Sequence, residues 1–243
     1  GDTKLVVNAG TGIKAPSIFQ EQSSLYELVA GTPAGEGFKP IGPERSRSVD
    51  VGLEQGFASG YGRARVAFFH NRSTDLIEFL SNTQLPRAGV PQEVANATGF
   101  GAYLNSQSYR ARGIEASIEA ALRADIRLMA SYTWLDAEVT EAFSASESFN
   151  PLFPDIPIGA FSPLVGQRPF RRPSSSGTLM AMYTPGRAQL TLSAYFSGKR
   201  DDGTFLSDQF FGDTLLLPNR DLEDGFQKVD LSGAYQFHRR LRG

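Results

Sequence analysis

The stretch "GIEASIEAALRADIRLMASYTW", residues 113–134, decides between two folds. Its first half is rich in Glu, Ala, Leu and Arg, which are good helix formers. Ile114, Ile118 and Leu122 are spaced four apart, and Glu119 stands at i,i+4 from Arg123, as on a helix face. The same residues also alternate. Ile114, Ala116, Ile118, Ala120 and Leu122 interleave with Gly113, Glu115, Ser117, Glu119 and Ala121, the period of a strand with one apolar face. After "RAD" (123–125), Ile126, Leu128, Ala130, Tyr132 and Trp134 repeat that period. The first reading gives a helix, the second a hairpin.

The rest of the chain favours the hairpin. Period-2 alternation recurs in Val49, Val51 and Leu53 against Ser48, Asp50, Gly52 and Glu54, and in Ala64, Val66 and Phe68 against Arg63, Arg65 and Ala67. It recurs again in Leu190, Leu192, Ala194 and Phe196, and in Val229, Leu231, Tyr235 and Phe237. Leu179, Ala181 and Tyr183 are a weaker case, because Met180 and Met182 blur the polar face. Eight strands are expected near 3–13, 45–57, 61–79, 104–122, 126–140, 174–184, 187–199 and 226–238. Several exceed the ~5–6 residues usual in soluble domains and reach the ~9–11 needed for a tilted membrane strand. Propensity in 113–122 then yields to context.

The connections alternate in length. "GFASGYG" (56–62), "RAD" (123–125) and "TPGR" (184–187) read as tight turns, whereas 14–44, 80–103, 141–173 and 200–225 are long and rich in Pro, Gly, Ser, Asn and Asp. In an antiparallel meander every second connection falls on the same rim, so one rim holds the short turns and the other the long loops. Outer-membrane barrels have that layout. Phe57, Tyr61, Tyr183, Tyr235 and Phe237 cluster toward the short turns, and Tyr109, Tyr132, Trp134, Tyr195, Phe196 and Phe226 toward the long loops, as two interfacial girdles would. The charged face of such strands has two readings: the lumen of a barrel, or the solvated side of an ordinary antiparallel sheet. Loop asymmetry and the girdles favour the barrel. The fold class expected is all-β, an antiparallel up-and-down transmembrane β-barrel segment of about eight strands.

Composition excludes several functions. Lys and Arg total 24 against 26 Asp and Glu, so no basic footprint points to nucleic acid. With no cysteine there is no disulfide framework, thiolate metal site or thiol nucleophile. The two histidines, His70 and His238, are far apart and read as surface or girdle residues. "GTG" (10–12) and "GYG" (60–62) read as strand-end and turn glycines rather than nucleotide loops. No apolar run approaches the ~18 residues of a membrane helix, which says nothing against a barrel. No triad spacing appears, and no enzymatic activity, cofactor or metal is expected. No signal peptide stands at Gly1, and the opening "TKLVVNAG" reads as the middle of a longer protein.

Six segments, in order, resemble the C-terminal part of the TonB-dependent outer-membrane receptors. "GTGIKAPS" (10–17) is similar to the family's strand end before Ala-Pro-Ser, and "KPIGPERSRSVDVGLEQG" (39–56) to its loop exit and following strand. "FFHNRSTDLIEF" (68–79) and "YRARGIEASIEAAL" (109–122) resemble its Tyr-Asn-x-x-x-Asp-Leu-Ile and Arg-Gly-Ile/Val-Glu strands. "RPFRRPSSSGTLMAMYTPGRAQLTLSAYFSGKRDD" (168–202) resembles the later hairpin, nearest to the cobalamin and catecholate-siderophore branches, and "GFQKVDLSGAYQF" (225–237) the strand before the final hairpin. "KPIGPERS" carries an insertion relative to the family pattern, and the Asn-Leu-Phe-Asp segment, the terminal aromatic, the plug and the TonB box have no counterpart in these residues. The resemblance implies one partial barrel domain over 1–243. It amounts to about eight strands of a roughly 22-strand barrel, without the plug and the last two strands.

The resemblance also implies a function: uptake of a scarce ligand, a ferric siderophore or cobalamin, driven by the TonB-ExbB-ExbD complex through a plug. The implied partners are outer-membrane lipid, lipopolysaccharide and the iron-chelate or corrinoid ligand, around a monomeric barrel in the bacterial outer membrane. A passive pore, an adhesive or structural barrel without energy coupling, and a soluble β-sandwich remain alternatives. Ligand contacts are expected in the long loops, from Phe149, Phe153, Phe161, Phe205, Phe210, Phe211, Arg168, Arg171 and Arg172. The arginines have a second reading as lipopolysaccharide contacts, and the phenylalanines as loop packing. Plug contacts are expected from Asp50, Glu54, Arg63, Arg65, Glu115, Glu119, Arg127, Lys228 and Asp230.

Overall fold

Eight long strands form one open antiparallel sheet in a computed structural model that describes residues 2–82, 84–142, 148–149, 157–159, 165–200, 205–208, 213–216 and 224–237. They are β1 (Thr3–Lys14), β2 (Glu44–Phe57), β3 (Gly62–Ser81), β4 (Gly101–Arg123), β5 (Ile126–Glu141), β8 (Ser175–Tyr183), β9 (Ala188–Ser197) and β12 (Phe226–Tyr235). The spatial order follows the chain, β1-β2-β3-β4-β5-β8-β9-β12, a meander without crossovers. Between them lie two short pairs, β6 (Ser148–Phe149) with β7 (Pro157–Gly159) and β10 (Phe205–Asp208) with β11 (Asp213–Leu216). All eight expected strands are present, within a few residues of their expected bounds.

Residues 113–134 are the β4–β5 hairpin. Ile114 pairs with Trp134, Ala116 with Tyr132, Ile118 with Ala130 and Ala120 with Leu128, closing at Ala124-Asp125. The helical cue at Glu119 and Arg123 has no counterpart in the fold. Arg123 Nε pairs with Asp125 across the turn at 3.4 Å, while Glu119 stands opposite Arg63 and Met129. Alternation wins over propensity because each neighbouring strand supplies a matching apolar row. The β2–β3 and β8–β9 turns use left-handed backbone: φ is +52° at Ala58, +55° at Ser59 and +96° at Gly60, and +59° at Gly186.

Register carries one apolar face across the whole sheet. A single row runs Val7, Val51, Phe68, Ile114 and Trp134, and the row below it Leu5, Leu53, Val66, Ala116 and Tyr132. The face continues through Leu179, Ala194 and Val229. These side chains are exposed, Leu5 by 64%, Val66 by 54% and Leu231 by 76%. Such an exposed apolar surface marks contact with lipid or a partner. From Ile114 to Leu122 the band is ~26 Å along the strand, or ~20 Å high at a tilt of about 40°, close to the apolar band of an outer-membrane barrel.

The buried core lies elsewhere. Beyond the band, β3 and β4 continue as a long hairpin, and the two connections before and within it fold against it. The first holds α1 (Ile18–Gln22) and α2 (Leu25–Val29); the second holds α3 (Gln92–Ala97), with a 3₁₀ turn at Leu85–Ala88. Leu25, Val29, Leu80, Leu85, Val90, Val94, Ala95 and Ala102 are buried together, with Phe38 and Leu104 against them. Ser17 caps α1 in a reciprocal box with Gln20, and the Ser24 hydroxyl accepts from Glu27 N at 3.3 Å to cap α2. The sequence reading of 14–44 and 80–103 as plain loops is therefore corrected: they are a small helical cap.

The outer girdle is also corrected in part. Tyr132, Trp134 and Phe196 share the apolar face, with Tyr132 stacked 6.1 Å from Phe196. Tyr109, Tyr195 and Phe226 fall on the opposite face, since Tyr109 pairs with Ser73, Tyr195 with Lys228 and Phe226 with Ser197. All six lie toward the long loops as expected; face depends on parity, which one residue reverses.

Candidate functional site

The face opposite the apolar band is polar, and register assembles it into transverse rows. One row runs Lys4, Glu54, Arg65, Ser117, Ser131, Thr178, Tyr195 and Lys228. The next, toward the short turns, runs Gly56, Arg63, Glu119, Met129, Met180, Ser193 and Asp230. Asp50 and Glu115 lie on the same face toward the long loops, and Arg127 toward the short turns. All nine residues expected to face the lumen thus share one face, though they spread over five strands rather than meeting at a point.

Pairing among these charges is incomplete. Arg63 Nε lies 3.3 Å from Glu54 Oε1, and Lys228 Nζ 3.0 Å from Asp230 Oδ2. Asp50, Arg65, Glu115, Glu119 and Arg127 make no ion pair among the described residues. A cleft of about 900 Å³ opens beside Lys4, Glu54, Arg63, Glu119, Arg127 and Met129. A second, of about 430 Å³, is lined by Met129, Met180, Thr178, Tyr195 and Asp230. The polar face therefore contains an apolar island, formed where Met129 pairs directly with Met180. Asn71 Oδ1, also on this face, is buried with no hydrogen-bond partner among the described residues.

The mouth is shaped by the cap. Bulges at Ser73–Ile77 of β3 and in the facing part of β4, with Asp75 at φ +59°, shift the alternation. Above them Glu78, Leu80, Ala102 and Leu104 continue the inner face, where the cap's buried side chains meet them. The β1–β2 excursion reaches past β3 to the far edge of β4, where Tyr103 N donates to Ser23 O at 2.9 Å and Phe19 packs edge-on 6.0 Å from Tyr103. Burial pushes the Glu78 carboxyl above its ordinary value, against the opposing pull of a 2.7 Å hydrogen bond from the Ser106 hydroxyl. Nothing in the sequence pattern singled out Glu78, because the shielding comes from segments distant along the chain.

The expected ligand contacts are more dispersed. Residues 165–174 run beside the outer half of β5, through Gly166 N to Val139 O, Val139 N to Gln167 O and Leu135 N to Ser174 O, at 2.8 to 2.9 Å. Arg168, Arg171 and Arg172 lie on this segment, Arg171 with φ +62°, away from the charged rows near the short turns. Phe149 and Phe205 fall on β6 and β10; Phe153, Phe161, Phe210 and Phe211 lie outside the described residues, as does His238. His70 is exposed on the apolar-face side, at the upper margin of the band.

An eight-strand meander with a lipid-height apolar belt, a charged inner face and a cap on its long-loop rim describes part of an outer-membrane β-barrel. The profile of the family described as TonB dependent receptor-like, beta-barrel matches residues 2–243. The chain belongs to that family. It is an outer-membrane barrel segment, and its family is of receptor and transporter type.

Solved structures share the fold at low identity. The ferric-catecholate import receptor Fiu from E. coli K12 superposes with a TM-score of 0.58 at 15% identity, covering 99% of this chain and 27% of that one. The ferripyoverdine receptor of the Pseudomonas aeruginosa outer membrane gives 0.61 at 12% identity, covering 99% and 26%. The copper transporter OprC gives 0.55 at 16%, covering 99% and 30%. Each is similar in fold alone, and the chain spans between a quarter and a third of their lengths. No curated protein matches the chain.

Proposed function

We propose that this TonB-dependent receptor segment belongs to an active importer of a scarce ligand, a ferric siderophore or cobalamin, with energy from the TonB-ExbB-ExbD complex. The observation that carries the reading is the incompletely paired charge on the lumen face. Asp50, Arg65, Glu115, Glu119 and Arg127 have no ionic partner in the sheet, so they are available to a polar plug. A plug that must move under force is best held by polar contacts that re-form with water. Exposed or half-exposed ion pairs of about 0–1 kcal/mol each suit that role better than a packed apolar interface.

Three observations support a ligand site on the long-loop rim. The cap gives the rim a packed foundation, so residues borne on it are held in place. Arg168, Arg171 and Arg172 supply positive charge for an anionic iron chelate. Fiu and the ferripyoverdine receptor are named for iron-chelate ligands. Ligand chemistry nevertheless varies on this fold, since OprC is named a copper transporter.

The test uses cells producing the full-length receptor from the parent gene, deprived of other iron and corrinoid receptors. Uptake of radio-iron as catecholate or pyoverdine-type chelates, and of labelled cobalamin, is measured with and without TonB. The proposal expects saturable uptake of one ligand that stops without TonB. Entry that is non-saturable and indifferent to TonB would instead assign a passive pore. Glu115→Ala with Glu119→Ala tests the lumen contacts; unchanged uptake and unchanged plug stability would remove those two residues from that role.

A further inference from the structure

We propose that the outward face of β2, β3 and β4, just above the apolar band, is a docking surface for the phosphate groups of lipopolysaccharide. The inference rests on the outward orientation of the long connections, and it is independent of which ligand is imported. Register places Arg47 opposite Arg72, and Arg72 opposite Arg110, in one row on the apolar-face side. The row above adds Arg45, opposite Thr74; the row below adds His70, opposite Arg112. Directly beneath them lie Val51, Phe68 and Ile114. The arginines therefore begin where the lipid-facing residues end.

Three directly opposed arginines across neighbouring strands repel one another, and like charges in that position destabilise a sheet. The sheet neutralises only one side of the cluster. Arg110 pairs with Glu138, and Arg112 Nε lies 2.8 Å from Asp136 Oδ2, both acids coming from β5. Glu44, the acid nearest in sequence to Arg45 and Arg47, pairs instead with Lys14 on the opposite face. Arg45, Arg47 and Arg72 are exposed and have no acidic partner among the described residues. Their charge faces outward at the height of the headgroups of the outer leaflet.

An anion is the complement such a row requires, and its chemistry is narrowed by what is present. Every cation in the cluster is Arg, and the guanidinium fork binds phosphate oxygens in pairs. The row spans three strands, ~10 Å between the Cα positions of Arg47 and Arg110, so it fits a headgroup bearing more than one phosphate. Because the apolar band is continuous below it, acyl chains of the same molecule lie against Val51, Phe68 and Ile114. Diphosphorylated lipid A, the membrane end of lipopolysaccharide, meets both conditions at once. An acidic protein or a free anion meets only the first. Arg168, Arg171 and Arg172, the contacts suggested by sequence, lie on a segment beside β5 and are not part of this row.

The test titrates diphosphoryl lipid A onto the full-length receptor in mild detergent, with bound lipid read by native mass spectrometry. R45Q/R47Q/R72Q is expected to weaken binding on the order of one hundred-fold, at ionic contributions typical of basic residues at an anionic membrane. The control R187Q, an exposed arginine on the opposite, short-turn rim, is expected to bind as the parent does. R72Q alone, which leaves β2 untouched, is expected to give an intermediate loss. Heat-modifiable gel migration confirms that each variant is folded. Unchanged binding in folded R72Q and in the triple variant overturns the proposal, as does equal loss in the R187Q control. Displacement of lipid A by inorganic phosphate, or equal affinity for phosphatidylglycerol, also overturns it, since either makes the row a general anion site. Retention of lipid A with loss of a co-purifying acidic protein would assign the face to a protein partner instead.

Discussion

Ile118 sits halfway between Ile114 and Leu122 on β4, at the middle of the apolar band, and directly opposite Ala64 and Ala130. Four residues separate it from either margin, ~13 Å along the strand or ~10 Å of depth at a 40° tilt. An arginine there cannot reach water easily, so Ile118→Arg should destabilise the inserted barrel by about 2–4 kcal/mol. Ile114→Arg, at the upper margin beside Arg112, should cost about 0–1 kcal/mol. Ser117→Arg, one residue away but facing the lumen, should lie near zero. The assay is urea unfolding of the full-length receptor in phospholipid vesicles, followed by protease protection and gel migration. The ordering Ile118 far above Ile114, and Ile114 above or equal to Ser117, is the content of the prediction. Equal losses at 117 and 118 would refute the assignment of faces, and a larger loss at 117 would reverse it.

Other perturbations probe the inner face and the cap. At Gly113 an added Cβ would lie 2.1 Å from Trp134 O and 2.6 Å from the Phe69 ring, so Gly113→Ala should lower stability by about 1–3 kcal/mol in the same unfolding assay. Leu80→Ala opens the buried core of the cap and should cost that unit about 2–5 kcal/mol. Hydrogen exchange should then rise in α2 and α3 and stay unchanged in β8 and β9. Glu78 is held by burial above its ordinary value of 4.5, so the folded cap prefers it protonated. Its favourable contribution is full below 4.5 and is lost as pH rises through the higher folded value. Cap protection should therefore fall over that window in the parent, and Glu78→Gln should flatten the dependence.

The strands were legible because each carries its own period-2 signal, and because short and long connections alternate. Residues 113–122 show the limit of local propensity: Glu119 and Arg123 meet helix spacing, yet the rows contributed by β3 and β5 determine the outcome. The cap is partly legible in the sequence. Ser17-x-x-Gln20 and Ser24-x-x-Glu27 are both capping patterns, but the surrounding Gly, Pro and Ser read as loop. Its core was not legible at all, because Leu25, Leu80 and Val94 come from three separate segments and meet only in space. The inward side of Tyr109, Tyr195 and Phe226 follows from parity, and above Ser73 parity changes at bulges that no residue type announces. The arginine row is of the same kind. Arg47, Arg72 and Arg110 are scattered in sequence and become neighbours only once register is known.

The central claim is that residues 113–134 cross the outer membrane as a hairpin with one face to lipid. The chain has no cysteine, so single cysteines can be placed through 113–134 of the full-length receptor, with any others removed, and spin-labelled in vesicles. Collisional accessibility to oxygen and to a water-soluble nickel chelate is then measured at each position. Oxygen maxima are expected at 114, 116, 118, 120, 128, 130 and 132, with chelate maxima at the intervening lumen positions and a break at 123–125. A period near 3.6 residues, or equal chelate access at adjacent positions throughout, would contradict it.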